Sequence, residues 1–281
     1  MKPSENPAAL LPALPTFPQD APLAWAAVCG AVSAIGFRWN WAALGRLLAV
    51  VVLVELMFRS VAWLVSQADG RSPDSADSAS PAAALPYAQP DSPAQHAADG
   101  AVRALHGWRR FWGAGGRALA LLLVTGLLLC YGIGAPAMWV GLIGLAVAAL
   151  SGVWLRKPHG AAAVWSPLLL VAFAWVVGAL TVGGGWSVGM VAALGFGLAA
   201  SGFAALREGR DWGRGLACAG LAVPAVVLIA ERLALPAAAV LFVAGPAFAL
   251  AAGGKSREGF IRAVWPLLLI GMAVVALSLG W

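Results

Sequence analysis

The stretch AAAVWSPLLLVAFAWVVGALTVG, residues 161–183, decides the fold class of this chain. It runs for 23 residues without a charged side chain, and a helix needs about 20 apolar residues to cross the hydrocarbon core of a bilayer. Its apolar residues follow one another continuously instead of alternating with polar ones, which argues against a strand of a membrane barrel. The stretch therefore predicts a transmembrane helix.

The composition of the whole chain agrees with that prediction. Of its 281 residues, 61% are hydrophobic and 11% are charged, and the mean hydropathy is +0.84. These values lie far outside the usage of soluble domains. The 14 tryptophans and 34 glycines are typical of membrane helices that pack through small residues and place indole rings at the headgroup level. The chain is therefore predicted to be a polytopic membrane protein.

Nine segments approach the length of a membrane span. We expect an all-α bundle of nine transmembrane helices that enclose a central apolar cavity, open on the cytoplasmic side. The predicted segments lie at about 21–37, 46–67, 117–134, 137–155, 161–183, 185–203, 215–231, 233–252 and 263–281.

Four regions follow from these segments. Residues 1–20 form a Pro-rich tail, 21–67 hold the first two helices, 68–116 form an insert, and 117–281 hold helices three to nine. The first part of the insert is rich in Ser, Pro, Asp and Ala, a composition typical of disorder. Its second part, AVRALHGWRRFWGAGG, is either a basic amphipathic helix on the membrane surface or a solvated approach to the third helix.

The distribution of Lys and Arg predicts the orientation in the membrane. Three cations lie on one side, namely Arg38, Arg46 and Arg232. Fourteen lie on the other side, namely Lys2, Arg71, Arg103, Arg109, Arg110, Arg117, Arg156, Lys157, Arg207, Arg210, Arg214, Lys255, Arg257 and Arg262. Because positive charge is retained in the cytoplasm, the N-terminus and the insert are predicted to be cytoplasmic. We expect a bacterial-type inner (cytoplasmic) membrane, with membrane lipid as a partner.

Several classes of function are disfavoured by the same residues. The net charge of +6 is spread singly through short loops, so it is interpreted as a topology signal and not as a nucleic-acid surface. The three histidines, His96, His106 and His159, all fall in predicted loops. A haem held between two helices would therefore have no histidine ligands, and no haem is expected.

One pair of charged residues falls inside a predicted span. Glu55 and Arg59 are four residues apart in the second segment, so they share a helix face and can form an ion pair. A structural ion pair is the favoured interpretation, and a contact to substrate is the alternative.

The cytoplasmic loops hold the remaining candidate site residues. Acidic residues follow the second segment, as Asp69, Asp74 and Asp77, and the sixth segment, as Glu208 and Asp211. Carboxylates at two helix ends could bind Mg²⁺ ions, which in turn bind a diphosphate. Nearby cations could contact the phosphate oxygens directly, namely Arg156, Lys157, Arg207, Arg210 and Arg214. The plain alternative is a set of short basic loops balanced by isolated acids.

From about residue 20 to its end, the chain resembles the UbiA superfamily of membrane prenyltransferases. Those proteins have nine transmembrane helices, a cytoplasmic N-terminus, and aspartate-rich motifs after helices two and six. REGRDWGRG, residues 207–215, is similar to the second motif, D-x-x-x-D-x-x-x-G, and VSQADGRSPD, residues 65–74, is similar to the first, N-D-x-x-D-x-x-x-D. LRKPHG at 155–160 resembles the basic loop of the family, and SREGFIRAVWPLLLIG at 256–271 resembles its entry to the ninth helix.

Both aspartate motifs depart from the family pattern. Arg207 stands where the second motif has its first Asp, and Val65 and Ser66 stand where the first motif has Asn and Asp. An arginine in place of a carboxylate ligand should weaken Mg²⁺ binding. The retained aspartates are Asp69, Asp211 and, with one extra residue in the first motif, Asp74.

The resemblance implies transfer of a prenyl chain from a prenyl diphosphate to an aromatic or other lipophilic acceptor. Asp69, Asp74 and Asp211 would then be Mg²⁺ ligands, and the five basic residues named above would bind diphosphate. Two alternatives are kept. The first is a catalytically degenerate UbiA-like scaffold that acts as a lipid-binding or assembly subunit, and the second is a small-solute transporter.

Overall fold

The structure is a computed structural model that describes residues 22–34, 40–67, 114–155, 161–184, 188–254 and 256–280. Every regular element in these ranges is helical. Helix α1 is Leu23–Ser33, and α2 consists of Trp41–Val52, a π-helical turn at Leu53–Met57, and Phe58–Gln67. The other helices are α3 Ala114–Ile133, α4 Ala135–Leu155, α5 Ala161–Thr181, α6 Gly189–Arg207, α7 Gly213–Ala230, α8 Ala234–Ala252 and α9 Arg257–Gly280.

Eight of these helices, α2 to α9, are long and apolar enough to cross a membrane. The prediction of an all-helical chain with many apolar spans is therefore confirmed for eight segments. Helix α1 has 11 residues and is shorter than a span, because about 20 residues are needed for a full crossing. The ninth span and the central apolar cavity stay predictions.

Helices α5 and α6 form the centre of the bundle. In each of them 78% of the apolar window is buried, against 22% in α8 and 28% in α3. The rings of Trp175 and Phe196 stack between α5 and α6, with centroids 6.0 Å apart, and both side chains are fully buried. Helices α3 and α8 therefore present most of their apolar residues at the outer surface, where lipid would cover them.

Glycines bring α6 and α7 into direct backbone contact. Gly195 and Gly202 on α6 face Gly220 and Gly213 on α7. A Cβ atom at Gly202 would lie 2.6 Å from the carbonyl oxygen of Gly213, and one at Gly220 would lie 2.6 Å from that of Gly195. Any larger residue would push the helices apart, so these small residues set the close packing that is common between membrane helices.

Helix α1 is held at its first turn by a carboxylate from α2. The backbone N–H of Ala24 donates to Oε2 of Glu55 at 3.3 Å. Glu55 lies in the π-helical turn of α2, a local widening that changes the direction of the side chains it carries. The contact satisfies one of the unpaired N–H groups at a helix start and places a negative charge near the positive end of the α1 dipole.

We expect Gly202→Ala to lower the free energy of unfolding by about 1–3 kcal/mol, because the added methyl group overpacks the α6–α7 contact. The matched control is Gly245→Ala on α8, where a Cβ has no neighbour within 4 Å. Thermal unfolding of the purified protein in detergent, followed by tryptophan fluorescence, measures both. Equal stability of the two variants would contradict the packing described for α6 and α7.

Candidate anion-binding site

The charged loop between α6 and α7 begins with a tight helix end. The N–H of Gly209 donates to the carbonyl of Leu206 at 3.0 Å, and the N–H of Arg210 donates to that of Ala205 at 2.9 Å. These two bonds form a Schellman motif, in which the residue after the cap adopts a left-handed conformation. Gly209 has φ = 87°, a value that glycine adopts without strain. The turn ends α6 after Arg207 and reverses the chain direction.

The loop then enters α7 after only five residues, 208–212. The N–H of Gly213 donates to the carbonyl of Arg210 at 3.1 Å, and that of Arg214 to the carbonyl of Asp211 at 3.2 Å. The predicted segment six, 185–203, lies too early in the chain, because α6 is Gly189–Arg207. The Schellman motif explains the difference, because it allows basic residues to remain in the last helical turn, where they complement the helix dipole.

Helix α9 starts six residues before the predicted boundary at 263. The hydroxyl oxygen of Ser256 accepts a hydrogen bond from the N–H of Gly259 at 3.2 Å, and this contact caps the start of the helix. Arg257 and Arg262 are therefore on α9 and not on the preceding loop. Ser256 is the sequence signal that could have located this start.

An ion pair joins the α6–α7 loop to α9. The Nε atom of Arg257 donates to Oδ1 of Asp211 at 3.0 Å, and Nη2 donates to Oδ2 at 3.1 Å. This two-bond geometry is the strong form of an arginine–carboxylate contact. It engages both carboxylate oxygens of Asp211, a residue predicted above to be a metal ligand.

A pocket of about 410 Å³ opens beside this ion pair. Its volume lies within the range of small-molecule sites. The lining residues are Leu206, Arg207, Arg257, Glu258, Ile261 and Arg262. Three guanidinium groups thus face one carboxylate, that of Glu258, which lies 3.3 Å from Arg262. The pocket is cationic, and the buried side chains of Leu206 and Ile261 give it an apolar side.

The predicted phosphate-binding residues divide into three groups. Arg207 lines the pocket. Arg210, on the turn, and Arg214, in the first turn of α7, are not among the lining residues, and Arg210 contacts Glu208 at 3.2 Å. Arg156 and Lys157 lie outside the described residues. Arg257 and Arg262 were missed as site residues, because the first of them reaches the α6–α7 loop only through the tertiary fold.

Metal-ligand side chains are not clustered in the described residues. These residues contain no group of three or more His, Cys, Asp or Glu side chains that could hold a metal ion, and the Asp211 carboxylate is engaged by Arg257. Asp69 and Asp74 lie outside the described residues. The predicted set of three aspartate ligands therefore stays a prediction.

The charged pair inside α2 forms a salt bridge. Nη2 of Arg59 lies 2.9 Å from Oε1 of Glu55, while Oε2 of the same carboxylate caps α1. Both oxygens of Glu55 thus have a partner within the protein. The predicted ion pair is thus present, and its purely structural role stays a prediction.

Comparisons of the chain with protein-family models, with curated proteins and with solved structures found no match.

The Asp211–Arg257 contact predicts a pH dependence. The hydrogen bond and the charge of Arg257 hold the pKa of the Asp211 carboxyl below its ordinary value of 3.8. A lowered pKa means that the ion pair adds stability above about pH 3.8, and that this stability is lost as the pH falls through the folded-state pKa.

Carboxyl ¹³C chemical shifts of Asp211, followed against pH, measure this directly. We expect a midpoint below 3.8 in the wild-type protein and a higher midpoint in Arg257→Ala. The control Arg46→Ala removes an exposed arginine outside the pocket and should leave the midpoint unchanged. Identical midpoints in wild type and Arg257→Ala would show that the ion pair does not form.

Proposed function

We propose that the protein is a UbiA-like integral membrane protein that binds a prenyl diphosphate and transfers its prenyl chain to a lipophilic acceptor. The observation that supports this proposal is the pocket, in which Arg207, Arg257 and Arg262 lie beside Leu206 and Ile261. A prenyl diphosphate likewise combines a negatively charged headgroup with an apolar chain. The resemblance of residues 207–215 to a family motif points to the same ligand.

Arginine suits the headgroup of such a ligand. Its planar guanidinium group donates several hydrogen bonds and stays charged at every physiological pH, and arginine–phosphate contacts often use two parallel bonds. The three arginines, offset by the carboxylates of Glu258 and Asp211, leave one net positive charge beside the diphosphate.

In the proposed reaction, negative charge develops on the leaving diphosphate, beside these arginines. The bond between the allylic carbon and the diphosphate oxygen breaks, and negative charge grows on the leaving diphosphate. Fixed donors aimed at that oxygen lower the barrier. The allylic carbocation then forms a bond to an acceptor carbon, which releases a proton. Apolar surroundings, of the kind that Leu206 and Ile261 begin, would keep water from the cation.

A second candidate is a lipid-binding scaffold without catalysis. It is favoured by the engagement of Asp211 with Arg257 and by the position of Arg207, which lines the pocket where the family has a carboxylate. Such a protein would bind the phosphate headgroup of a lipid through arginines and would leave it chemically unchanged.

Binding of geranylgeranyl diphosphate to the purified protein in lipid nanodiscs tests the shared step. We expect Arg207→Ala combined with Arg262→Ala to weaken binding by about tenfold or more, because two charged hydrogen-bond donors are lost. The control Arg46→Ala should bind like the wild type. Absence of wild-type binding, both with Mg²⁺ and with a chelator, would contradict the prenyltransferase.

Product formation separates the two candidates. The wild-type protein is incubated with radiolabelled geranylgeranyl diphosphate and a panel of phenolic and lipid acceptors, and released diphosphate is counted. Prenyl transfer predicts diphosphate release that requires an acceptor and falls in the double arginine variant. Tight binding without release across the panel would favour the scaffold.

A further inference from the structure

We infer that Asp211 is a positioning residue, whose carboxylate holds the Arg257 guanidinium in the anion pocket. The inference rests on the proposed function, because it concerns how the same pocket is prepared for a phosphate-bearing ligand. It differs from the role that the family resemblance implies, in which Asp211 is a metal ligand. It also differs from the idea that Asp211 merely offsets nearby positive charge.

Asp211 and Arg257 contact each other through two hydrogen bonds. Asp211 engages Nε and Nη2 of Arg257, at 3.0 and 3.1 Å, which fixes the plane of the guanidinium group. A Cβ at Gly209 would lie 3.3 Å from Nη1. The glycine therefore leaves room for the guanidinium group, which Asp211 orients through two hydrogen bonds.

The position of Arg257 also supports a positioning role for Asp211. It is the first residue of α9 and lines the pocket, while Asp211 does not line it. An arginine side chain at a helix start is long and flexible, so it binds an anion well only when its orientation is fixed beforehand. Asp211 supplies this fixation from outside the pocket, across 46 residues of sequence.

The other carboxylates nearby, Glu258 and Glu208, differ from Asp211 in their contacts. Glu258 contacts Arg262 through one hydrogen bond of 3.3 Å, and both side chains are more than four-fifths exposed, against 43% for Arg257 and 74% for Asp211. Glu208 contacts Arg210, which does not line the pocket. Of these three pairs, Asp211–Arg257 combines two-bond geometry with a partner in the pocket.

The sign of one mutational effect decides between the roles. Removal of a negative charge beside a cationic pocket should, by Coulomb attraction alone, tighten anion binding. A positioning role predicts the reverse, because Arg257 loses its fixed orientation. We expect Asp211→Ala to weaken binding of geranylgeranyl diphosphate by about tenfold. The control Glu208→Gln removes the same charge from the same turn and should leave binding unchanged or slightly tighter.

Each titration is performed with Mg²⁺ and with a chelator. Positioning predicts the same loss in both conditions, whereas a metal ligand predicts a loss only when Mg²⁺ is present. Pyrophosphate is titrated alongside the prenyl lipid. Binding of pyrophosphate that weakens in Asp211→Ala would support the positioning role even if the prenyl lipid does not bind, in which case only the proposed function fails.

A charge swap separates positioning from a purely structural role. The double variant Asp211→Arg with Arg257→Asp can restore the ion pair but puts a carboxylate into the pocket. We expect its unfolding temperature to be close to that of the wild type while ligand binding is lost. Recovery of binding in the swap, or unweakened binding in Asp211→Ala, would overturn the inference.

Discussion

The direct backbone contact between α6 and α7 is the constraint on which the candidate site depends. Four glycines, at 195, 202, 213 and 220, allow the two helices to approach until a Cβ on one would meet the backbone of the other. Helices this close can be joined by a turn of five residues, 208–212. The turn is rigid because both of its ends are hydrogen-bonded, and it carries Asp211 to the start of α9.

The helices were largely predictable, because apolar runs of membrane length dictate them. The segment predicted at 161–183 is α5, Ala161–Thr181, and the segment predicted at 233–252 is α8, Ala234–Ala252. The ends of α6 and the start of α9 were less predictable, because arginines there were assigned to loops. Local hydrogen bonds at Gly209 and Ser256 decide those boundaries, and hydropathy is insensitive to them.

The site was predictable only in part. The basic loop at 207–214 stands out because charge is scarce in this chain, and Arg207 does line the pocket. The role of Arg257 could not be derived from spacing, since its partner lies 46 residues away and the contact arises from the packing of α9 beside the α6–α7 turn. A carboxylate in a loop looks the same in sequence whether it binds a metal or an arginine.

Helix α1 has a consequence for how the chain assembles in the bilayer. Its 11 described residues extend about 16 Å, roughly half the thickness of the hydrocarbon core. In its first turn, the N–H of Ala24 donates to the Glu55 carboxylate of α2. The described part of α1 is too short to cross the bilayer by itself, so its place depends on contacts with α2 and with α5, against whose backbone Gly30 packs. Because both helices follow α1 in the chain, these contacts can form only after α2 and α5 have been synthesised.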